Sequence, residues 1–448
     1  MNTNKTVYRQ IIALSLPIVI QNLLSATVSS ADVIMLNSVG QSAISSVSLA
    51  TQYSSVFFTI LYGLGAGVTM LGSQYWGKKD VRAIELVQGI ALRFSILTSL
   101  VLALCAFTIP HLMMRVFTYD PELIELGISY LKLVGFSYLF WGIAEMYLAS
   151  LRSVGHVSIS TALNALALGI NVTLNAVFIY GLFGAPKLGV AGVALATSIA
   201  RGTELIACLL VSYFSKDVKL RFSSIFVHNK ILFSDFMHMA LPALINDLAW
   251  GVAFSLYTAI LGHLGSDMVA ANSIVVVVRN YATTLCFGFG NSATIWLGNE
   301  IGQNRLDHAR KDAKRYMILT VITGLLGGVI VLLISPLVLA KVSLNAQALH
   351  YLRYMLYINS YYVLGAAVNT TLIVGVFRAG GDSRFGMICD IVDMWCYAVP
   401  LGFVSAFIFK LPPMVVYFLL CTDEFVKWPW VIRHYRSGSW LQNITKEY

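Results

Sequence analysis

Four polar side chains in an otherwise apolar stretch fall on one helical face: Asn22, Ser25, Ser29 and Asp32, at intervals of three, four and three. No Lys or Arg shares their span to neutralise the acid. Charge in hydrocarbon is costly, so a carboxylate there could exchange a proton near neutral pH or bind a small cation with help from neighbouring oxygens. The plainer alternative is a protonated Asp hydrogen-bonded to another helix.

Three further sets have the same character. Asn164, Asn171 and Asn175 are spaced by seven and four; they either line a cavity with Asp32 or hydrogen-bond between helices. Asp390, Asp393 and Tyr397 are spaced by three and four, and two like charges one turn apart raise each other's pKa unless a cation sits between them. Asp247 stands beside Asn246 and one turn before Trp250. Weaker candidates are Glu145, Arg201 and Glu204, read as a buried structural network, and Asp423, Glu424 and Lys427, expected to snorkel or pair at the inner interface. The six cysteines lie singly in apolar segments, so neither a disulfide nor a metal cluster is expected. No P-loop is present, and Gly63–Gly67 sits in an apolar helix rather than a strand-to-helix turn, where close helix packing explains it. Enzymatic chemistry, catalytic residues, metals and cofactors are therefore not expected.

These residues need elements that hold them at membrane depth. The chain has 448 residues, 58% hydrophobic and 11% charged, with mean hydropathy +0.75. Soluble domains carry about 25% charged residues, and a soluble core stops growing at about 250–300 residues. Lipid must solvate most of this chain. At about 20 apolar residues per span, the sequence predicts twelve helices near 11–36, 51–76, 88–111, 128–151, 158–182, 188–214, 239–262, 273–298, 316–340, 352–377, 385–409 and 412–432. The first runs past a typical signal-peptide core and shows no small-residue cleavage site, so it is expected to be retained.

Basic residues set the orientation. With a cytoplasmic N-terminus, twenty Lys and Arg fall in inside segments and five outside. Both termini are thus expected in the cytoplasm, with the net charge of +9 a topology signal rather than a sign of nucleic-acid binding.

The longest polar interruption, 215–236, divides the chain into an N-lobe (1–214, spans 1–6) and a C-lobe (237–448, spans 7–12), with a cytoplasmic linker between. Sliding the chain by 225 positions superposes Leu16–Gly77 on Leu241–Gly302 with thirteen identities in sixty-two positions, among them Pro17/Pro242, Gly40/Gly265, Gly63/Gly288 and Gly65/Gly290. Arg152/Arg378 and Gly155/Gly381 follow at a shift of 226, as does Asn164/Asp390. The fold expected is an all-α polytopic membrane protein, twelve transmembrane helices in two six-helix bundles related by a pseudo-two-fold repeat. Six spans per half is an even number, so the halves enter from the same side, with a pathway between lobes that rock against each other.

LPIVIQNLLSATVSSADVIMLNSVG (16–40), GLGAGVTMLGSQYWGKKD (63–80), LRSVGH (151–156), WLGNEIGQNR (296–305) and FRAGGDSRFGMICDIVDMW (377–395), in this order, resemble a bacterial branch of the multidrug and toxic compound extrusion (MATE) transporters over nearly the whole chain. The resemblance implies two bundles in a V-shaped body, and export of organic, often cationic, compounds in exchange for H⁺ or Na⁺. It assigns ion coupling to Asp32. The family's span-5 Asn followed four residues later by Asp matches Asn171, but this chain has Asn175 at the second position. Where members with a span-7 acid before Trp often have Glu, this chain has the shorter Asp247.

The expectation is a monomeric secondary antiporter of the plasma membrane, with Asp32, Asp247, Asp390 and Asp393 at the coupling ion, H⁺ or Na⁺. Asn22, Ser25, Ser29, Asn164, Asn171, Asn175, Asn246, Trp250 and Tyr397 line the substrate cavity. A lipid-linked oligosaccharide flippase is the alternative. It would require a large basic cavity for phosphates, whereas only Arg93, Lys132, Arg201, Arg279 and Lys427 lie in or near spans.

Overall fold

The computed structural model describes residues 2–447; the side chains of residues 2–5, Ser29 and Val33 lie outside the description, so the Ser29 position on the span-1 face is not placed. The described chain is helical throughout, without a strand. Spans 1–6 are Asn2–Asn37, Gln41–Gly77, Val81–Thr108, Pro121–Ser153, Val157–Tyr180 and Gly189–Phe214. Spans 7–11 are Lys230–His263, Ser266–Gly302, Leu306–Lys341, Ala346–Phe377 and Ser383–Ile408. Most run beyond the minimum the apolar stretch demands, because helical backbone satisfies its own hydrogen bonds past the hydrocarbon edge.

Span 12 departs from expectation. Instead of one helix over 412–432, Pro413–Leu420 is followed by the short helices Asp423–Val426 and Trp428–Ser437. The break has local causes: Thr422 Oγ1 donates back to the Leu419 carbonyl at 2.6 Å, and the Asp423 carboxylate accepts from the Glu424 N–H at 2.8 Å. Pro429 then supplies no donor of its own. Eleven described helices are long and apolar enough to cross a membrane, and the interrupted span 12 completes the set.

The repeat is written into the backbone as well as the sequence. Pro17 and Pro242 both sit inside their helices. Gly40 and Gly265 precede spans 2 and 8 with φ of 136° and 127°. Spans 2, 4, 8 and 10 end alike, with a left-handed residue at Lys79, Gly155, Asn304 and Gly381. At each end two amides fold back onto the last turn, as in Asp80 N to Tyr75 O and Arg305 N to Glu300 O (2.9 and 3.0 Å).

The chain forms two compact units, residues 20–240 with 446–448 and residues 1–19 with 241–445. The divisions fall inside spans 1 and 7 rather than in the polar linker, so residues 1–19 group with the second half and 215–240 with the first. The linker is docked, not free. Arg93 of span 3 donates to the carbonyls of Ile225 and Val227, Glu85 accepts from Lys219 N (3.2 Å) and pairs with Arg221 (2.8 Å), and Val218 is fully buried. Gly89 makes room for the linker: a Cβ there would lie 2.5 Å from the Ser224 carbonyl oxygen. In the other unit, Met355, Leu356, Val363 and Met394 build a core with Ala253 and Leu261. Span 9 turns Leu325, Leu326, Val329 and Leu333 outward, the expected face toward lipid tails.

Candidate functional site

In the first unit, spans 1, 5 and 6 assemble a polar chain. Asn175 Nδ2 donates to Asp32 Oδ1 at 2.7 Å and to Asn171 Oδ1 at 3.3 Å, and Asn171 Nδ2 donates to Thr197 Oγ1 at 3.1 Å. Asn171 and Asn175 sit four residues apart on one helical face, where Asn175 reaches span 1 and Asn171 reaches span 6. Asn175 Oδ1 is buried and has no hydrogen-bond partner among the described atoms. Asp32 forms no salt bridge among the described residues, so its partners are neutral. Asn22 is half-buried two to three turns away, and Ser25 bonds back to the Gln21 carbonyl at 3.0 Å.

Asn164 belongs to a separate group. Its Nδ2 donates to Glu204 Oε1 at 3.2 Å; Glu204 Oε2 pairs with Arg201 at 2.7 Å, and Arg201 stacks over Trp141 at 4.2 Å. Glu145 does not join this network; it pairs with Arg152 at 2.6 Å.

In the second unit the acids meet fixed cations. Arg378 lies 3.2 Å from Asp247 Oδ1. Lys427 is the hub of the rest: its Nζ lies 3.0 Å from Asp390, 3.6 Å from Asp393 and 3.3 Å from Glu424. Asn246 donates to Asp390 Oδ2 at 3.1 Å, and Asn369 donates to Glu424 Oε2 at 2.6 Å. Of the two readings left open by the Asp390/Asp393 spacing, the structure has a cation beside both acids, Lys427. Lys427, Asp423 and Glu424 are no more than 4% exposed, so of the two expectations, snorkelling or pairing, the structure has pairing, with Lys427 on Glu424. The break in span 12 is what carries them inward. A π-helical turn over Val392–Ala398 holds Asp393 in span 11. Tyr397 bonds with Thr422 across that gap at 3.0 Å, and Trp250 packs edge-on against Phe254 at 4.8 Å.

The two units use corresponding positions. At the shift of 226, Asn164 falls on Asp390 and Arg201 on Lys427, and each basic residue pairs with a Glu three residues away, Glu204 and Glu424. The sequence profile of the family described as MatE matches residues 17–177 and 242–404, well over half the chain and in the same duplicated register. The chain belongs to the MatE family. It is a membrane transporter, with twelve helices in two bundles.

Two relatives from Bacillus subtilis resemble this MatE chain over most of their lengths. The uncharacterised transporter YisQ is 21% identical across 96% of this chain and 94% of its own length. The probable multidrug resistance protein YoeA is 24% identical across 91% and 88%. Among solved structures, the Vibrio cholerae MATE transporter VcmN in its bent form superposes with a TM-score of 0.87 at 15% identity, covering 99% of this chain and all of that one.

Sequence reasoning did not name Lys427, Arg378 or Thr197 among the site residues. Lys427 carried a signal all the same: it stands three residues after Glu424 and is the repeat counterpart of Arg201, itself noted beside Glu204.

Proposed function

We propose that this MatE chain is a secondary active antiporter of the plasma membrane. It exports small organic molecules, cationic ones foremost, in exchange for H⁺ or Na⁺ by alternating access, with both termini in the cytoplasm. The name of YoeA, a probable multidrug resistance protein, supports the cargo class. The twenty-to-five distribution of basic residues supports the orientation.

One observation carries the coupling role. Asp32 is held by the neutral amide of Asn175, whereas Asp247, Asp390, Asp393 and Glu424 each have a lysine or arginine in place. An acid with a tethered cation has its charge matched already. Asp32 does not, and can release and take up a mobile H⁺ or Na⁺ during a cycle. The oxygens along its hydrogen-bonded chain, from Asn175, Asn171 and Thr197, are of the hard type that suits a small cation. Asp247, Asp390 and Asp393 then serve to hold the second unit's spans together.

The test is efflux from proteoliposomes under separately imposed pH and Na⁺ gradients, with a panel of cationic and anionic dyes. Dye export driven by one of the two gradients in the wild type, and lost in Asp32→Asn, is the expected result. Export that ignores both gradients would remove the antiport reading.

A further inference from the structure

The second unit contains a cavity of about 210 Å³, walled by spans 7, 8, 10 and 12. Its rings are Phe254, Tyr257, Tyr362 and Tyr417, and its charge is Arg279. Ser255 and Thr258, both exposed, lie at its rim.

Arg279 differs from the other buried or half-buried basic residues of the described spans. Arg93 has two backbone carbonyls, Arg152 has Glu145, Arg201 has Glu204, Arg378 has Asp247 and Lys427 has Asp390. The Arg279 guanidinium has neither a hydrogen bond nor an ion pair among the described residues. It lies over two ring faces, 5.0 Å from the centroid of Phe254 and 5.5 Å from that of Tyr362. Ring faces stabilise the charge but accept none of the five N–H bonds a guanidinium offers, and an arginine at membrane depth without acceptors is costly.

The walls are fixed from behind. Tyr257 donates to Asp423 at 3.2 Å, Tyr417 accepts from Asn359 at 2.6 Å, and Tyr362 approaches Glu424 at 3.5 Å. The Tyr257 and Tyr362 hydroxyls thus engage partners outside the cavity, Tyr417 is held by Asn359 and by Cys421 of the wall, and the Arg279 guanidinium is left as the cavity's unmet charged donor. Asp423 and Glu424 sit behind these tyrosines, with Lys427 beside Glu424.

We propose that this cavity binds a small organic carboxylate, its oxygens on the Arg279 guanidinium and its body against the aromatic walls. A fork of parallel N–H donors matches a carboxylate. A cationic ligand would instead meet Arg279 head-on, with the faces of Phe254 and Tyr362 already taken by the guanidinium. Drug-sized sites run to about 300–1,000 Å³, so this volume suits a single-ring or short-chain acid rather than a large dye. Binding here needs no gradient and stands independently of the coupling role given to Asp32.

The test uses the purified full-length protein in detergent, titrated calorimetrically with benzoate and, separately, with benzylammonium. Saturable one-to-one binding of benzoate, with none of benzylammonium, is expected. Arg279→Gln should weaken benzoate at least tenfold, and Val276→Phe, which fills the cavity and keeps the arginine, should abolish binding. Should Arg279→Gln fail to fold, Val276→Phe alone decides. No saturable benzoate binding by the wild type, tighter binding of benzylammonium, or wild-type affinity in Val276→Phe would each overturn the proposal.

Discussion

Lys427 Nζ lies 3.0 Å from Asp390 Oδ1, with both side chains almost wholly buried. The ammonium also faces Asp393 and Glu424, so one positive charge holds three carboxylates from spans 11 and 12. Removing one partner of a buried pair leaves uncompensated charge, at a cost of about 3–5 kcal/mol. Lys427→Met should therefore unfold at a markedly lower temperature in detergent, and Lys427→Met with Asp390→Asn should recover part of the loss. A double variant no more stable than Lys427→Met alone would mean that the stranded charge is not the cause.

Asp32 should behave in the opposite way. Its neutral partner Asn175 can bond an amide as well as a carboxylate, so Asp32→Asn keeps the Asn175 contact and should change stability by less than about 1 kcal/mol. Gradient-driven efflux should nevertheless be lost. Asn175→Leu removes the donor and retains the acid; reduced coupling with insertion intact is expected, measured as dye export per imposed gradient. Full transport by Asp32→Asn would take Asp32 out of the mechanism.

What could be read without coordinates was whatever repeats or alternates. The count of spans, the duplication and the shared face of Asn171 and Asn175 follow from hydropathy and helical spacing, which act within one segment. The pairing of Asp390 with Lys427 lies across 37 residues and depends on a helix break that the apolar run over 413–420 conceals. Hydropathy averages over such a break; only the hydrogen bonds of Thr422 and Asp423 disclose it. The docking of the linker was not legible for a similar reason, since its polar composition marks a connection but not the Arg93 and Glu85 side chains of span 3 that satisfy its backbone and its arginine.

That docking makes a prediction about the linker. Gly89 admits the Ser224 carbonyl where a side chain would collide with it, and Arg93 caps the Ile225 and Val227 carbonyls. Gly89→Leu and Arg93→Ala should each release residues 215–229 for tryptic cleavage at Lys216, Lys219 and Arg221. The membrane-embedded spans should stay intact in the same digest. Cleavage no faster than in the wild type would show that the linker is held by other contacts.

The four matched helix ends allow a test with opposite signs in one experiment. At Gly155, φ is +86° and a Cβ would meet no atom within 4 Å, so Gly155→Ala carries backbone strain alone, about 1–2 kcal/mol. Lys79 bears the same strain already, at φ 64°. Lys79→Gly should relieve it, offset in part by the greater freedom of glycine in the unfolded chain, for a net gain of up to about 1 kcal/mol. Unfolding midpoints should thus fall for Gly155→Ala and hold or rise for Lys79→Gly, although the two residues close corresponding turns on consecutive hairpins of one unit. Equal falls in both would mean that the Lys79 side chain, rather than its backbone, holds that turn.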